Sequence, residues 1–244
     1  MDKKVVIITG AAKGIGRAIA ERMVHDNYFA ILVDVDNENG TALAKELGNS
    51  AKFISCDISK HKEVENLFKS VVTEFGGVDA IVNNAGIIRD NVIWKMPEED
   101  FDKVVDINLK GTWLMCKVAS TLMRDQKRGR IVNIASRAWL GNRGQSNYSA
   151  SKAGVVGLTR VLALELGKYG VLVNAIAPGL IDTPLTQKLP KDVQEKLIEA
   201  QPTKTMGQPE DIANAVSFLC DSNTNFITGQ TIYVDGGKSI GAGL

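Results

Sequence analysis

Tyr148 and Lys152 stand four residues apart in Asn147-Tyr-Ser-Ala-Ser-Lys152, at the head of a helix-patterned stretch, so both side chains project from one face. A free phenol titrates near pH 10, too high to exchange protons at neutrality. A neighbouring ammonium favours the phenolate and is expected to lower that value, making Tyr148 a general acid for carbonyl reduction or a general base for alcohol oxidation. Twelve residues before the tyrosine, Ser136 ends the run Arg130-Ile-Val-Asn-Ile-Ala-Ser136 and is expected to close a strand. Its hydroxyl there can hydrogen-bond a substrate oxygen as charge develops on it.

A Tyr-x-x-x-Lys pair alone is common on solvated helices, so the rest of the chain must supply a reaction partner. It does so near the N-terminus, in Thr9-Gly10-Ala11-Ala12-Lys13-Gly14-Ile15-Gly16. Glycines that follow a strand and open a helix let the backbone approach a pyrophosphate, which the free N–H groups and positive end of the helix attract. The spacing is G-x-x-x-G-x-G, and an acid, Asp34, stands 18 residues beyond Gly16 at the end of Ala30-Ile-Leu-Val33. Such a carboxylate can accept hydrogen bonds from both adenosine ribose hydroxyls, which favours NAD(H). A 2′-phosphate would instead face a like charge at ~4 Å, worth about 4 kcal/mol per unit pair at an effective dielectric near 20. Lys13 argues for NADP(H), which stays open as the alternative. The positive ring of an oxidised nicotinamide would join Lys152 in favouring the phenolate. Asp57-Ile58 follows a third apolar run and is placed to hold the adenine amino group, and Asn83-Asn84-Ala85-Gly86 follows a fourth. Gly237-Lys238-Ser239 resembles the end of a nucleoside-triphosphate loop, but it lacks the upstream glycine and a following helix.

Composition narrows the partners. The chain has 244 residues, with 29 Lys and Arg against 28 Asp and Glu, a formal charge of +1. No excess of positive charge is available for a nucleic acid. Two histidines and three scattered cysteines show no metal-ligand spacing, so no metal is expected, and the cysteines read as reduced thiols in a cytoplasmic protein. The N-terminal apolar run is too short for a signal peptide or a membrane span.

These residues need a scaffold that brings strand ends together. Short apolar runs recur at Val5–Thr9, Ala30–Val33, Ala51–Ser55, Ala80–Val82, Arg130–Ala135, Leu172–Ile176 and Thr231–Val234. Between them lie helical patterns at Ile15–His25, Asn37–Leu47, Glu63–Phe75, Glu98–Met123 and Tyr148–Leu166. This alternation predicts an α/β single-domain Rossmann fold over residues 1–244, a doubly wound parallel sheet of about seven strands with helices on both faces. Five of the six prolines fall between 178 and 209, where a broken segment beyond the sixth strand reads equally as a substrate lid or a surface connection. Trp94, Trp139 and Met96 are candidates for an acyl pocket, but large apolar residues are more often simple packing; Trp139 and Leu140 are the better placed for a pocket. The Tyr148–Leu166 helix is apolar on so much of its circumference that a second subunit is expected against it.

In motif order the chain resembles the short-chain dehydrogenase/reductase family over essentially its whole length. The matching motifs are Thr9–Gly16, Asn83-Asn-Ala-Gly86, Ser136, Tyr148-Ser-Ala-Ser-Lys152 and Pro178-Gly179. The resemblance implies a fourth catalytic residue, Asn108, which in relatives helps hold a water linking the lysine to solvent. It also implies that Thr183 and the Ile181 backbone hold the nicotinamide carboxamide, and that the assembly is a homotetramer. Gly86-Ile-Ile-Arg-Asp-Asn91 and Gly141–Tyr148 are most similar to 3-oxoacyl-[acyl-carrier-protein] reductases. That group prefers NADPH and lacks an acid at Asp34. The Ser–Tyr interval here is one residue shorter than usual, and Tyr169 stands where a carrier-docking base is usual, although Lys127 is retained. The substrate implied is a 3-oxoacyl thioester, with acyl carrier protein as the partner that presents it. The alternatives are an NAD-dependent dehydrogenase of a small secondary alcohol, hydroxy acid or hydroxyacyl-CoA, and a nucleotide-sensing regulator that has lost the chemistry.

Overall fold

Seven strands carry the chain: β1 (Lys4–Thr9), β2 (Tyr28–Asp34), β3 (Ala51–Ser55), β4 (Ala80–Asn83), β5 (Gly129–Ile134), β6 (Val171–Pro178) and β7 (Thr231–Val234). In the computed structural model they form one parallel sheet in the order β3-β2-β1-β4-β5-β6-β7. The structure describes residues 3–240; Met1, Asp2 and residues 241–244, the ends of the expected 1–244 domain, lie outside the described residues.

The strands read as continuous apolar runs because both faces of the sheet are covered. Ile7, Ile31, Ile81, Ile131 and Val173 point to one face, under α3 (His61–Phe75), α5 (Thr112–Gln126) and α6 (Ser146–Leu166). Their neighbours Val6, Ile8, Leu32, Val82 and Val132 point to the other, under α1 (Gly14–His25), α2 (Asn37–Leu47) and α8 (Pro209–Cys220). The architecture is therefore the doubly wound Rossmann arrangement expected.

The chain steps from β1 outward to β3, then crosses to place β4 on the other side of β1. The loops after β1 and β4 diverge there, opening a crevice at the carboxyl ends of the strands.

Two local expectations need correction. The single helix expected over Glu98–Met123 is α4 (Glu98–Val105), a π turn over Asp106–Gly111 and then α5. Such a turn inserts one residue into the helical ladder. Gly111 lies so close to Ile58 that an added Cβ would come within 2.9 Å of its side chain. Ser136 lies two residues beyond β5, where it caps a 3₁₀ turn over Arg137–Leu140 and accepts the Ala138 N–H at 3.1 Å. The proline-rich segment is irregular as expected, with a 3₁₀ turn at Thr186–Lys188 and α7 (Lys191–Glu199), which buries none of its residues. Both ends of that excursion are pinned: Asp182 N–H donates to Gly207 O at 2.8 Å, and Gly207 N–H to Leu180 O at 3.0 Å. The segment is thus a surface flap on a closed stem.

Candidate active site

The loop after β1 turns at Gly10, whose φ of +64° suits glycine, and enters α1 at Gly14. Gly16 packs against the Gly10 carbonyl so tightly that any side chain would collide with it. An added Cβ at Gly10 would in turn lie 2.8 Å from the Ala85 Cα. The loops after β1 and β4 are tied by Asn84, whose Nδ2 donates to the carbonyls of Thr9 and Gly10, both at 3.0 Å. Thr9 completes the tie, its Oγ1 accepting the N–H groups of Asn84 at 3.0 Å and Ala85 at 3.1 Å. The first-turn N–H groups of α1 are left facing the crevice, as a diphosphate requires.

Asp34 ends β2 beside this loop. Its carboxylate accepts Ala12 N–H at 3.0 Å, Val35 N–H at 2.8 Å and Asp36 N–H at 3.1 Å. These fill three of about four acceptor sites on the carboxylate, leaving room for one ribose hydroxyl where two were expected. Lys13 turns to Asp36, 3.5 Å away, so its charge is already partnered. Asp57 binds its own loop, accepting from Ser59 N–H at 3.0 Å and Ser59 Oγ at 2.7 Å. The Ile58 side chain is buried in the core, so only its backbone is available to an adenine.

At the opposite end of the crevice Lys152, 4% exposed, donates from Nζ to the Ile134 carbonyl at 2.7 Å. Burial pushes its ammonium down to about 8. Tyr148 lies beside it, the Nζ being 5.7 Å from the ring centroid. The Tyr148 phenol sits above its usual value: burial raises it most, the adjacent Ser136 hydroxyl pulls it down, and the Asp90 carboxylate adds to the rise. The expected lowering by Lys152 is therefore absent in the protein alone, where desolvation of the phenol dominates.

Asn108 sits in the π turn, fully buried. Its side chain is spent on structure: Oδ1 accepts Ile87 N–H at 2.8 Å, while Nδ2 donates to Ile87 O at 3.0 Å and Ser151 Oγ at 3.3 Å. Its carbonyl accepts Thr112 Oγ1 at 2.8 Å and keeps a second lone pair. Gly86 lies against both ends of this group; an added Cβ would meet Asn108 Oδ1 at 3.2 Å and Lys152 Nζ at 3.6 Å.

Lys13, Ile15, Asn84, Gly86, Ser136, Tyr148 and Lys152 line one cleft of about 630 Å³ with Pro178, Gly179, Ile181 and Thr183. Gly10, Gly14, Gly16, Asp34, Asp57, Ile58, Ala85 and Asn108 are not among its lining residues. The Ile181 carbonyl is taken by Thr186 Oγ1 at 2.7 Å, while its N–H makes no hydrogen bond among the described residues. That N–H suits a carboxamide oxygen.

The candidate acyl-pocket residues do not line the cleft. Trp139 is carried inward by the 3₁₀ turn and packs against Ala135, Val155 and Val156. Trp94 and Leu140 are exposed, and Met96 Sδ faces Asn147 Nδ2 at 3.4 Å. Ala138, Leu180, Leu185 and Leu197 supply the apolar wall instead, the last two from the flap.

Thr9, Asn147 and Gln145 lie within the motifs but are site supports whose roles the sequence does not assign. Asn147 Nδ2 donates to Arg89 O at 2.8 Å and its Oδ1 accepts Tyr148 N–H at 2.7 Å, setting the start of α6. Gln145 Nε2 donates to Asp90 at 2.9 Å. Thr9 closes the glycine loop, and its place directly before Gly10 was the one available signal. The glycine cradle, the fixed Asp34 carboxylate and the free Ile181 N–H together fit a nicotinamide dinucleotide lying from β2 to β6.

A family model described as enoyl-(acyl carrier protein) reductase matches residues 10–239. The chain is 44% identical over 246 residues to the (2S)-[(R)-hydroxy(phenyl)methyl]succinyl-CoA dehydrogenase subunit of Thauera aromatica, covering 100% of this chain and 99% of that protein. It is 41% identical over 239 residues to a 3-oxoacyl-[acyl-carrier-protein] reductase of Staphylococcus epidermidis, covering 96% and 98%. Among solved structures, levodione reductase superposes with a TM-score of 0.94 at 35% identity over 98% of each chain. Among the described residues no helix is long and apolar enough to cross a membrane.

Proposed function

The chain belongs to the short-chain dehydrogenase/reductase family, oxidoreductases that act on CH–OH groups with NAD(P)(H), and from that premise we propose that it interconverts a 3-oxoacyl thioester and its 3-hydroxyacyl form. The observation that carries this reading is the meeting of Ser136, Tyr148 and Lys152 on one wall of a cleft whose other wall is apolar. Two relatives, at 44% and 41% identity, are by name a dehydrogenase of a hydroxylated succinyl-CoA and a 3-oxoacyl-[acyl-carrier-protein] reductase, and both names describe thioester substrates.

When bound, the nicotinamide supplies or accepts the hydride at the carbon bearing oxygen. Ser136 keeps its Oγ lone pair on Ala138 N–H, which frees its proton to donate to the substrate oxygen. Tyr148 gives its phenolic proton to that oxygen during reduction and takes it back during oxidation. Lys152 sits behind the phenol, with protons left over after its bond to Ile134 O. The spare lone pair of the Asn108 carbonyl offers a place for a water that refills the lysine, so this residue acts through its backbone.

NAD(H) is the favoured cofactor. Asp34 places a fixed negative charge where a 2′-phosphate would lie, and Lys13, the cation that would offset it, is committed to Asp36. The reading takes residues 178–209 as a substrate flap on the single catalytic domain. It also includes a homotetramer, supported by the outward-facing Val161 and Leu164 of α6, 50% and 85% exposed. Acyl carrier protein and coenzyme A both suit the cleft as the thioester's carrier.

The deciding experiment is turnover of acetoacetyl-CoA followed at the NADH absorbance band, beside simple secondary alcohols and hydroxy acids with NAD. Activity confined to the alcohols and acids would replace the thioester reading.

A further inference from the structure

Five cationic side chains line the cleft: Lys13, Arg89, Arg137, Lys152 and Lys238. Four already have partners. Lys13 pairs with Asp36 at 3.5 Å and Arg89 with Asp100 at 3.7 Å, while Lys152 binds Ile134 O and Lys238 binds Ala200 O at 2.8 Å. Arg137 has neither an ion-pair partner nor a hydrogen-bond acceptor among the described residues, although it is half-buried. No carboxylate stands among the cleft's lining residues to receive it.

A guanidinium offers five donors in a planar fork that matches a carboxylate or phosphate. Withdrawing one from water with nothing to bind is unfavourable, so a protein holds it there at a cost unless a ligand completes it. Position settles which ligand. Arg137 directly follows Ser136 beyond β5, whereas the diphosphate cradle is at the end of β1, on the far side of β4 in the sheet. Arg137 therefore lies at the reacting end of the cleft, whose lining also includes Leu180, Leu185 and Leu197.

We propose that Arg137 is a specificity-determining residue that binds an anionic oxygen of the substrate, remote from the reacting carbon. The inference rests on the thioester reading above and narrows it to an acyl thioester carrying a second, negatively charged group. That group is either a carboxylate on the acyl chain or a phosphate of the carrier. Arginine suits both through the same bidentate geometry.

The test compares wild type, Arg137→Gln and Arg137→Lys, with NADH, on three substrates. These are the uncharged N-acetylcysteamine thioester of 3-oxobutanoate, the N-acetylcysteamine monothioester of 3-oxohexanedioate, and acetoacetyl-CoA. The ratio of kcat/KM for a charged over the uncharged substrate should fall tenfold or more in Arg137→Gln, through KM, with partial recovery in Arg137→Lys. A fall confined to the hexanedioate thioester assigns the carboxylate, and one confined to the CoA thioester assigns the phosphate. Equal losses on all three substrates, or none, overturn the proposal. A second measurement is independent of turnover: calorimetric titration of NADH-loaded protein with glutarate and with inorganic pyrophosphate. Wild type should bind one of them at least tenfold more tightly than Arg137→Gln, and equal binding overturns the assignment. If anion binding depends on Arg137 while no thioester turns over, the thioester reading fails and the anion subsite stands.

Discussion

The Nζ of Lys152 lies 5.7 Å from the centroid of the Tyr148 ring, and the atom it grips is the Ile134 carbonyl oxygen, at 2.7 Å. The lysine is thus anchored to the end of β5 independently of the tyrosine, and the two meet only through whatever occupies the cleft. In the free protein, burial keeps the phenol protonated and pushes the ammonium down to about 8.

Tyr148→Phe removes the proton carrier and leaves the glycine loop intact. Turnover is expected to fall by at least a thousandfold, while NADH affinity by fluorescence titration stays within about threefold, in line with the scale of acid–base catalysis and oxyanion positioning combined. Substantial activity in this variant would refute the proton-transfer role.

Lys152→Met tests the cost of the buried charge through pH. The folded value near 8 lies below the ordinary 10.5, so the unfolded chain binds more protons between those limits. The lysine therefore destabilises the fold fully below pH 8, and the penalty fades as pH rises towards 10.5. Between pH 7 and 9.5 the wild type should gain about 2 kcal/mol on the variant in urea unfolding. A difference that stays constant with pH would show that the ammonium is not desolvated.

Asp34→Ser removes the charge that a 2′-phosphate would meet. The ratio of kcat/KM for NADPH over NADH is expected to rise at least tenfold, less than the unscreened Coulomb figure because solvent reaches this strand end. An unchanged ratio would mean that Asp34 serves the loop alone, through its three backbone hydrogen bonds.

Gly86→Ala places a methyl 3.2 Å from Asn108 Oδ1 and 3.6 Å from Lys152 Nζ. The Asn108 side chain must give by a few tenths of an ångström, while Lys152 is met at ordinary contact distance, so kcat should fall about tenfold, through Asn108, with a melting temperature lowered by a few degrees. Unaltered kcat would separate Gly86 from the positioning of Asn108.

Leu164→Glu puts a charge on the most exposed apolar position of α6. Light scattering is expected to find four chains per particle for the wild type and fewer for the variant. A wild-type monomer would end the tetramer reading.

Much of this was legible in the sequence because it is local. Strand runs such as Val5–Thr9 and the glycine loop announce themselves within ten residues, and the topology follows from their alternation with helices. The features that escaped depend on packing between distant segments. The π turn brings Gly111 onto Ile58, from a loop more than fifty residues earlier in the chain, so helical periodicity reports only an unbroken helix. The nearness of Trp139 to Ser136 in sequence leaves pocket and packing both open, and the 3₁₀ turn that Ser136 caps decides for packing. The Tyr148 phenol is governed by burial, which spacing does not encode. Arg137 carried no motif at all; its interest comes from what the other cations bind.

The π turn at Asp106–Gly111 also works as a phase shifter. One residue in a regular helix is about 100° of rotation, so the insertion lets α4 present Val104 and α5 present Met115 to the interior while Asn108 between them turns to Ile87 and Ser151. Deleting a single residue from this turn would restore a straight helix and swing either Asn108 or the whole apolar stripe of α5 out of register. The helix trades the regularity of its own hydrogen bonding for the ability to serve two differently oriented faces along one continuous rod.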